Sequence, residues 1–252
     1  MIELCSVSVG YGQKTVLQEA SASFDAGRLT SVIGVNGCGK STLLKAMLGI
    51  LPLTGGEIRL DGADIRTMQR NELAKRIAYL SQGKTIPDMT VGQMVLCGRF
   101  PYLSYPRRYR ESDRAVAREA MERVGILHLA DQPLYALSGG MRQIAYIAMA
   151  LAQETDYILL DEPTTYLDIA HQLELMRLLK TLSESGKGIV AVMHDLPLAF
   201  DFSDEIAVLQ NGRIAARNTP SMLCASPVIR EIFGVGVEKT EEERYGYRYP
   251  RI

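Results

Sequence analysis

Apolar and polar side chains mostly alternate along the head of the chain, beginning with MIELCSVSVGYG, and this period of two predicts strands from Ile2 to Ile65. Turn signals at Asp25-Ala26-Gly27, Thr54-Gly55-Gly56 and Asp61-Gly62 punctuate the run. One interruption is helical. It starts at Lys40-Ser41-Thr42, continues through LLKAMLGIL and stops before Pro52, directly after the apolar strand Leu29 to Val35. A further strand is predicted over Ile77 to Leu80. There the pattern changes: turn formers and apolar residues at helical spacing, as in Arg110 to Val124, predict a helical lobe inserted from about Gly83 to Gln153. Beyond it, Tyr157 to Leu160 and Gly188 to Met193 are continuous apolar runs, the pattern of parallel strands covered on both faces, with a helix predicted between them over Ile169 to Ser185. Strands alternating with helices predict an α/β core. EIAVLQNGRIAAR then reads as a hairpin closed by Asn211-Gly212. The charged, tyrosine-rich stretch Glu238 to Ile252 is either a small ordered appendage or a partly disordered tail.

Composition narrows the classes. The 252 residues suffice for one large domain, or one domain carrying an inserted lobe, with a sizeable apolar core. With 28 Lys+Arg against 29 Asp+Glu the formal net charge is -1, which gives no global attraction to nucleic acid or anionic lipid, and no nucleic-acid partner is expected. Cys5, Cys38, Cys97 and Cys224 lie far apart and show no paired metal-ligand spacing, so a reducing compartment is the simpler reading. The start lacks the basic end and continuous apolar stretch of a signal peptide. The richest apolar stretch, Ile144 to Ala152, is too short for a membrane helix, so a soluble or peripheral protein is expected.

Gly34-Val35-Asn36-Gly37-Cys38-Gly39-Lys40-Ser41 matches G-x-x-x-x-G-K-[ST] between a predicted strand and a predicted helix, the context this chemistry requires. Glycines let the backbone curl so that successive N–H groups point inward at phosphate oxygens, and the start of the helix adds its positive end. Lys40 would reach the β- and γ-phosphates, Ser41 would give its hydroxyl to Mg2+, and Thr42 would bond a phosphate oxygen. Cys38 needs only its backbone N–H in this loop. Metal coordination and water activation then call for carboxylates at the end of a neighbouring strand, and YILLDEP offers two. Adjacent residues of an extended strand face opposite ways, so Asp161 suits the metal shell and Glu162, at the strand exit, suits polarising the attacking water.

A second anion-binding design stands at Leu137-Ser138-Gly139-Gly140-Met141, where Ser138 and the N–H groups of Gly139 and Gly140 precede a predicted helix from Arg142 to Ala152. An ordinary serine cap with a glycine turn is the plainer account of the same residues. At this point the chain resembles the ATP-binding cassette family, whose signature LSGGQ appears here as LSGGM, with the motifs in the family's order and spacing from Tyr11 to His194. Met141 departs from the usual glutamine.

The resemblance implies a P-loop NTPase (RecA-like) core over residues 1–237 with an antiparallel β subdomain and the inserted helical lobe, the tail 238–252 lying outside it. It implies a homodimer in which Ser138, Gly139 and Gly140 of one copy cap the γ-phosphate held by the other copy's phosphate loop. Tyr11 matches the aromatic that stacks on adenine, Gln82 the glutamine that touches Mg2+ or water, Asp168 the aspartate that signals across the dimer, and His194 the histidine that senses the γ-phosphate. ATP and Mg2+ are the implied cofactors. LCGRFPYLS and DEPTTYLDIAHQLELMRLL are similar to cassettes of bacterial importers for ferric siderophores, haem and cobalamin. That implies peripheral attachment to the cytoplasmic face of the inner membrane through permease subunits docked near Arg99-Phe100-Pro101-Tyr102, supplied by a substrate-binding protein. A soluble cassette ATPase of repair, translation or cluster assembly is the alternative. Repair versions need long coiled-coil insertions and translation versions carry two cassettes, neither of which this sequence has. A small-molecule kinase leaves LSGGM and His194 unexplained. GTPase chemistry lacks an N-K-x-D segment to read its base.

Overall fold

A computed structural model of the chain describes residues 1–12, 14–82, 86–240 and 244–248. Its strands, in chain order, are β1 (Ile2–Tyr11), β2 (Lys14–Phe24), β3 (Leu29–Ile33), β4 (Gly55–Leu60), β5 (Ala63–Asp64), β6 (Ile77–Leu80), β7 (Tyr157–Asp161), β8 (Gly188–Val192), β9 (Glu205–Gln210), β10 (Arg213–Asn218), β11 (Gly236–Lys239) and β12 (Tyr245–Arg248). The α-helices are α1 (Lys40–Met47), α2 (Arg70–Ala74), α3 (Val91–Leu96), α4 (Glu111–Arg123), α5 (Gly139–Ala152), α6 (Ile169–Glu184), α7 (Leu196–Phe202), α8 (Pro220–Ala225) and α9 (Val228–Phe233).

The alternating head of the chain folds into an antiparallel sheet in the order β2-β1-β4-β5. A second sheet of six strands runs β10-β9-β3-β8-β7-β6, and all its pairings are parallel except the β9–β10 hairpin. Its middle strands are covered on both faces, as their unbroken apolar runs require. Every residue of β3, β7 and β8 is buried. Period-two alternation then divides β7 between two apolar cores. Ile158 and Leu160 join the larger core with helices α3 to α7, whereas Tyr157 and Leu159 join the smaller one with α1 and the antiparallel sheet.

Between β6 and β7 the chain holds no strand among its described residues; α3, α4 and α5 pack on one another there. Gly83, given above as the start of this lobe, lies outside the described residues. Arg99 is buried in the lobe, where it meets Asp113 at 3.3 Å, the Ala152 carbonyl at 2.8 Å and the face of Tyr102 at 3.9 Å. Of the four residues Arg99 to Tyr102, it is Phe100 that stands exposed, with the Arg107 guanidinium 4.6 Å from its ring centre.

The boundary drawn after Val237 falls inside β11. Glu238 and Lys239 pair with Gly246 and Tyr245 of β12, Val237 is buried, and the Tyr245 ring packs edge-on against Phe200 of α7 at 5.3 Å. Residues 236–240 and 244–248 are therefore an appendage of the core. The remainder of the 238–252 stretch lies outside the described residues.

Candidate functional site

Four neighbouring strands of the six-stranded sheet end on one cleft. β3 runs into the phosphate loop, β8 into His194, β7 into Asp161 and Glu162, and β6 into Gln82, so residues far apart in sequence stand side by side at the carboxyl edge of the sheet. This is the edge at which open α/β sheets take ligands. The cleft, of about 720 Å³, is lined by Asn36, Gly37, Gly39, Lys40, Ser41 and Thr42 from the loop and α1, and by Gln82, Glu162 and His194 from the other strand ends.

The loop is shaped by close approach at its two ends. A methyl group on Gly34 would lie 2.3 Å from the Leu209 carbonyl oxygen and 2.7 Å from the Cys38 sulfur, so a side chain there would displace backbone. Gly39, at φ 109°, sits in the left-handed region immediately before α1 and frees the first N–H groups of that helix to face the cleft. Lys40 is buried and its Nζ donates to the carbonyls of Gly34 at 2.8 Å and Val35 at 3.2 Å, so its charge stands on the floor of the loop. Burial pushes the Cys38 thiol up, against the opposing pull of the Lys40 charge, which leaves it a poor nucleophile.

The two carboxylates diverge, with a difference from the extended geometry expected above. β7 ends at Asp161, and Glu162 turns off it in the left-handed region at φ 54°. That is a costly conformation for a residue with a Cβ. The turn aims the two side chains at different partners. Asp161 accepts from the Ser41 hydroxyl at 3.0 Å through Oδ1 and from the Tyr79 hydroxyl at 3.3 Å through Oδ2. Burial, and then the neighbouring Asp161 charge, push the Tyr79 phenol far up, so it stays a donor. Glu162 is held between His194 Nε2 at one oxygen and Gln82 Nε2 at the other, with the Thr165 hydroxyl 3.2 Å from the latter. Gln82 thus meets Glu162 and not the Ser41–Asp161 pair.

Among the described residues no cluster of three or more His, Cys, Asp or Glu side chains could hold a metal unaided. Ser41 and Asp161 instead bring two hard oxygen donors together beside the phosphate loop. That donor set fits a magnesium ion that arrives carrying phosphate oxygens.

The remaining predicted residues lie elsewhere. Ser138 caps α5, its Oγ accepting the Met141 N–H at 3.2 Å, and the helix begins at Gly139. Ser138 and Gly139 are exposed, Gly140 is buried, and Gly139 borders a second, smaller cleft of about 210 Å³ that also touches Gln82 and Glu162. Asp168 caps α6 and is exposed. Tyr11 ends β1, half-exposed, and the same antiparallel pair supplies Val16 to the wall of the large cleft. Sequence reading missed Val16, Tyr79 and Thr165. Tyr79 stands in the strand predicted over Ile77 to Leu80 and Thr165 within the quoted DEPTTYLDIAHQLELMRLL, but only the folded geometry shows which neighbours of a motif reach its carboxylates.

Comparison with known proteins follows the same lines. Residues 17–165 match the family model described as ABC transporter. The chain is 42% identical over 231 residues to the ferric enterobactin transport ATP-binding protein of Escherichia coli (strain K12), covering 91% of this chain and 85% of that protein. It is 41% identical over 250 residues to a petrobactin import ATP-binding protein of Bacillus subtilis (strain 168), covering 98% of each. The dimeric structure of a bacterial ABC transporter cassette matches with a TM-score of 0.75 and 30% sequence identity, over 87% of this chain and 99% of that one.

Proposed function

Because the chain belongs to the ABC transporter family, as an ATP-binding ATPase subunit, we propose that it works as a homodimer that energises the import of an iron–siderophore complex, haem or cobalamin. The ATPase domain includes the β11–β12 appendage, and the lobe 83–153 carries the contact to permease subunits on the cytoplasmic face of the membrane. A substrate-binding protein delivers the cargo. The importer assignment is supported by the relatives, which are named for ferric enterobactin and petrobactin. No helix among the described residues is long and apolar enough to cross a membrane, so membrane-spanning permease subunits are part of the proposal.

The observation that carries the ATPase reading is the convergence of four strand ends on one cleft, with Glu162 gripped between His194 and Gln82. The loop N–H groups and Lys40 bind the β- and γ-phosphates, and Tyr11 stacks on adenine. Ser41 and Asp161, with Gln82 as a further oxygen donor if released from Glu162, would hold magnesium, which would supply neutralisation of phosphate charge. Glu162 takes a proton from the attacking water, His194 orients that carboxylate and reads the γ-phosphate, and products are ADP and phosphate. Ser138, Gly139 and Gly140 of the other copy close over the γ-phosphate, with Asp168 beside them, so its loss lets the two copies part.

Glu162→Gln tests this. It keeps the hydrogen-bonding shape and removes the base, so turnover should fall by roughly 10²-fold or more while ATP affinity is retained. ATP with magnesium should then hold a dimer visible by size-exclusion chromatography. A variant that binds ATP and stays monomeric counts against the composite site.

A further inference from the structure

α6 and α5 meet at a side chain that neither the phosphate chemistry nor the apolar cores use. Asp168 accepts the backbone N–H of His171 at 3.0 Å, an ordinary helix cap. The His171 ring adds to it: Nδ1 lies 2.8 Å from both Asp168 oxygens, Oδ1 and Oδ2. These bonds hold the Asp168 carboxyl below its usual range, the backbone bond most, and keep it an acceptor for an Nδ1–H donor. The opposite edge of the ring lies against Gly140, where a methyl group would come within 2.4 Å of Cδ2 and 2.7 Å of Cγ. Next to it, a methyl on Gly139 would stand 3.6 Å from the Tyr166 carbonyl oxygen. The following residue grips the same loop from behind, Gln172 Nε2 donating to the carbonyls of Leu167 at 3.0 Å and Thr164 at 3.3 Å.

We propose that His171 is a positioning residue for the partner copy's ATP site: bonded to Asp168 and packed against Gly140, it fixes the spacing of the two segments this chain lends across the dimer. The proposal rests on the composite-site reading above. A cap needs only the backbone N–H, and a buried packing residue would not carry a bond to an exposed carboxylate. The ring does both because it ties the exposed loop ending at Asp168 to the glycine bend that begins α5. Gly140 is small on this account because the ring occupies the space beside it.

The test uses the full chain carrying Glu162→Gln as parent, with ATP-driven dimerisation followed by analytical ultracentrifugation and binding of trinitrophenyl-ATP to the monomer followed by fluorescence. Adding His171→Ala should weaken the ATP-magnesium dimer by about tenfold, the order expected for loss of a charge-assisted bond, while nucleotide affinity of the monomer stays within about twofold. His171→Asn, which keeps a side-chain N–H toward Asp168 but gives up the ring against Gly140, should recover only part of that loss. Gly140→Ala, which needs the ring's space, should combine with His171→Ala less than additively. If His171→Ala does not fold, His171→Phe is read in its place, since it keeps the ring against Gly140 and loses only the bond, with a smaller loss in the same direction expected. A dimer unchanged by these substitutions, in a parent that dimerises, overturns the role of His171 alone. A parent that stays monomeric with ATP and magnesium overturns the composite site, and this inference with it.

Discussion

The hydroxyl of Tyr157, at the start of β7, is buried with no hydrogen-bond partner among the described residues. Burial, and then the carboxylates of Asp61, Asp25 and Asp156, push its phenol up to about 12. An unfolded tyrosine loses its proton near pH ~10. Below that pH folded and unfolded chains hold the proton equally and the contribution to stability is complete; as pH rises toward the folded value, only the unfolded chain releases it and stability falls. Tyr157→Phe should therefore be at least as stable near neutrality, by up to ~1 kcal/mol, because it removes an unsatisfied buried hydroxyl. It should also lose a slope of about 1.4 kcal/mol per pH unit above pH ~10, read as the difference between urea-unfolding series of the two proteins. Gly34 gives a second expectation at this scale. Gly34→Ala drives a methyl toward the Leu209 carbonyl, so it should cost roughly 1–3 kcal/mol of stability and weaken nucleotide binding, measured by urea unfolding and fluorescence titration. The sequence identifies Gly34 as a loop glycine. It cannot identify Leu209, more than a hundred residues later, as the reason a side chain is barred there.

Among the elements, the β9–β10 hairpin shows most clearly what local pattern reveals and what it leaves out. Asn211-Gly212 is legible as a two-residue turn, and both residues have positive φ, 49° and 75°. Where the turn docks is not legible. The Gly212 carbonyl accepts from Gln18 N–H at 2.9 Å, and a methyl on Gly212 would lie 2.2 Å from the Val16 carbonyl, so the hairpin fastens the antiparallel sheet to the six-stranded one. Gly212→Ala meets both the left-handed backbone and that contact, and should cost roughly 1–3 kcal/mol in chemical unfolding. The tail divides the same way. Its polar, tyrosine-rich composition leaves order undecided, whereas the fold supplies Phe200 for the Tyr245 ring and an Asp201 oxygen 2.8 Å from the Tyr245 N–H. Long-range partners settle such a segment, and periodicity carries no record of them.

For the whole molecule, the motif positions, layer architecture and the covered parallel strands were readable from residues 29–42, 77–82, 157–168 and 188–194, because each joins a period to a turn signal. Spatial strand order was not, since crossover connections set it and local side chains do not. Docking to permease subunits belongs at this scale too. Phe100, half exposed beneath Arg107, is the apolar residue the 99–102 segment offers outward. Phe100→Asp should therefore abolish ATP-driven uptake in vesicles reconstituted with the permease, while the Glu162→Gln form carrying it still dimerises with ATP. The strand order has one more implication, for synthesis. β8 pairs with β3 on one side and β7 on the other. A ribosome that has delivered everything through Lys187 has thus made the phosphate loop and both carboxylates, yet has left two bare parallel edges where the central strand belongs. Nascent chains of that length are the ones to be shielded by chaperones, and a stalled or truncated message would yield sticky fragments in place of a weakened ATPase.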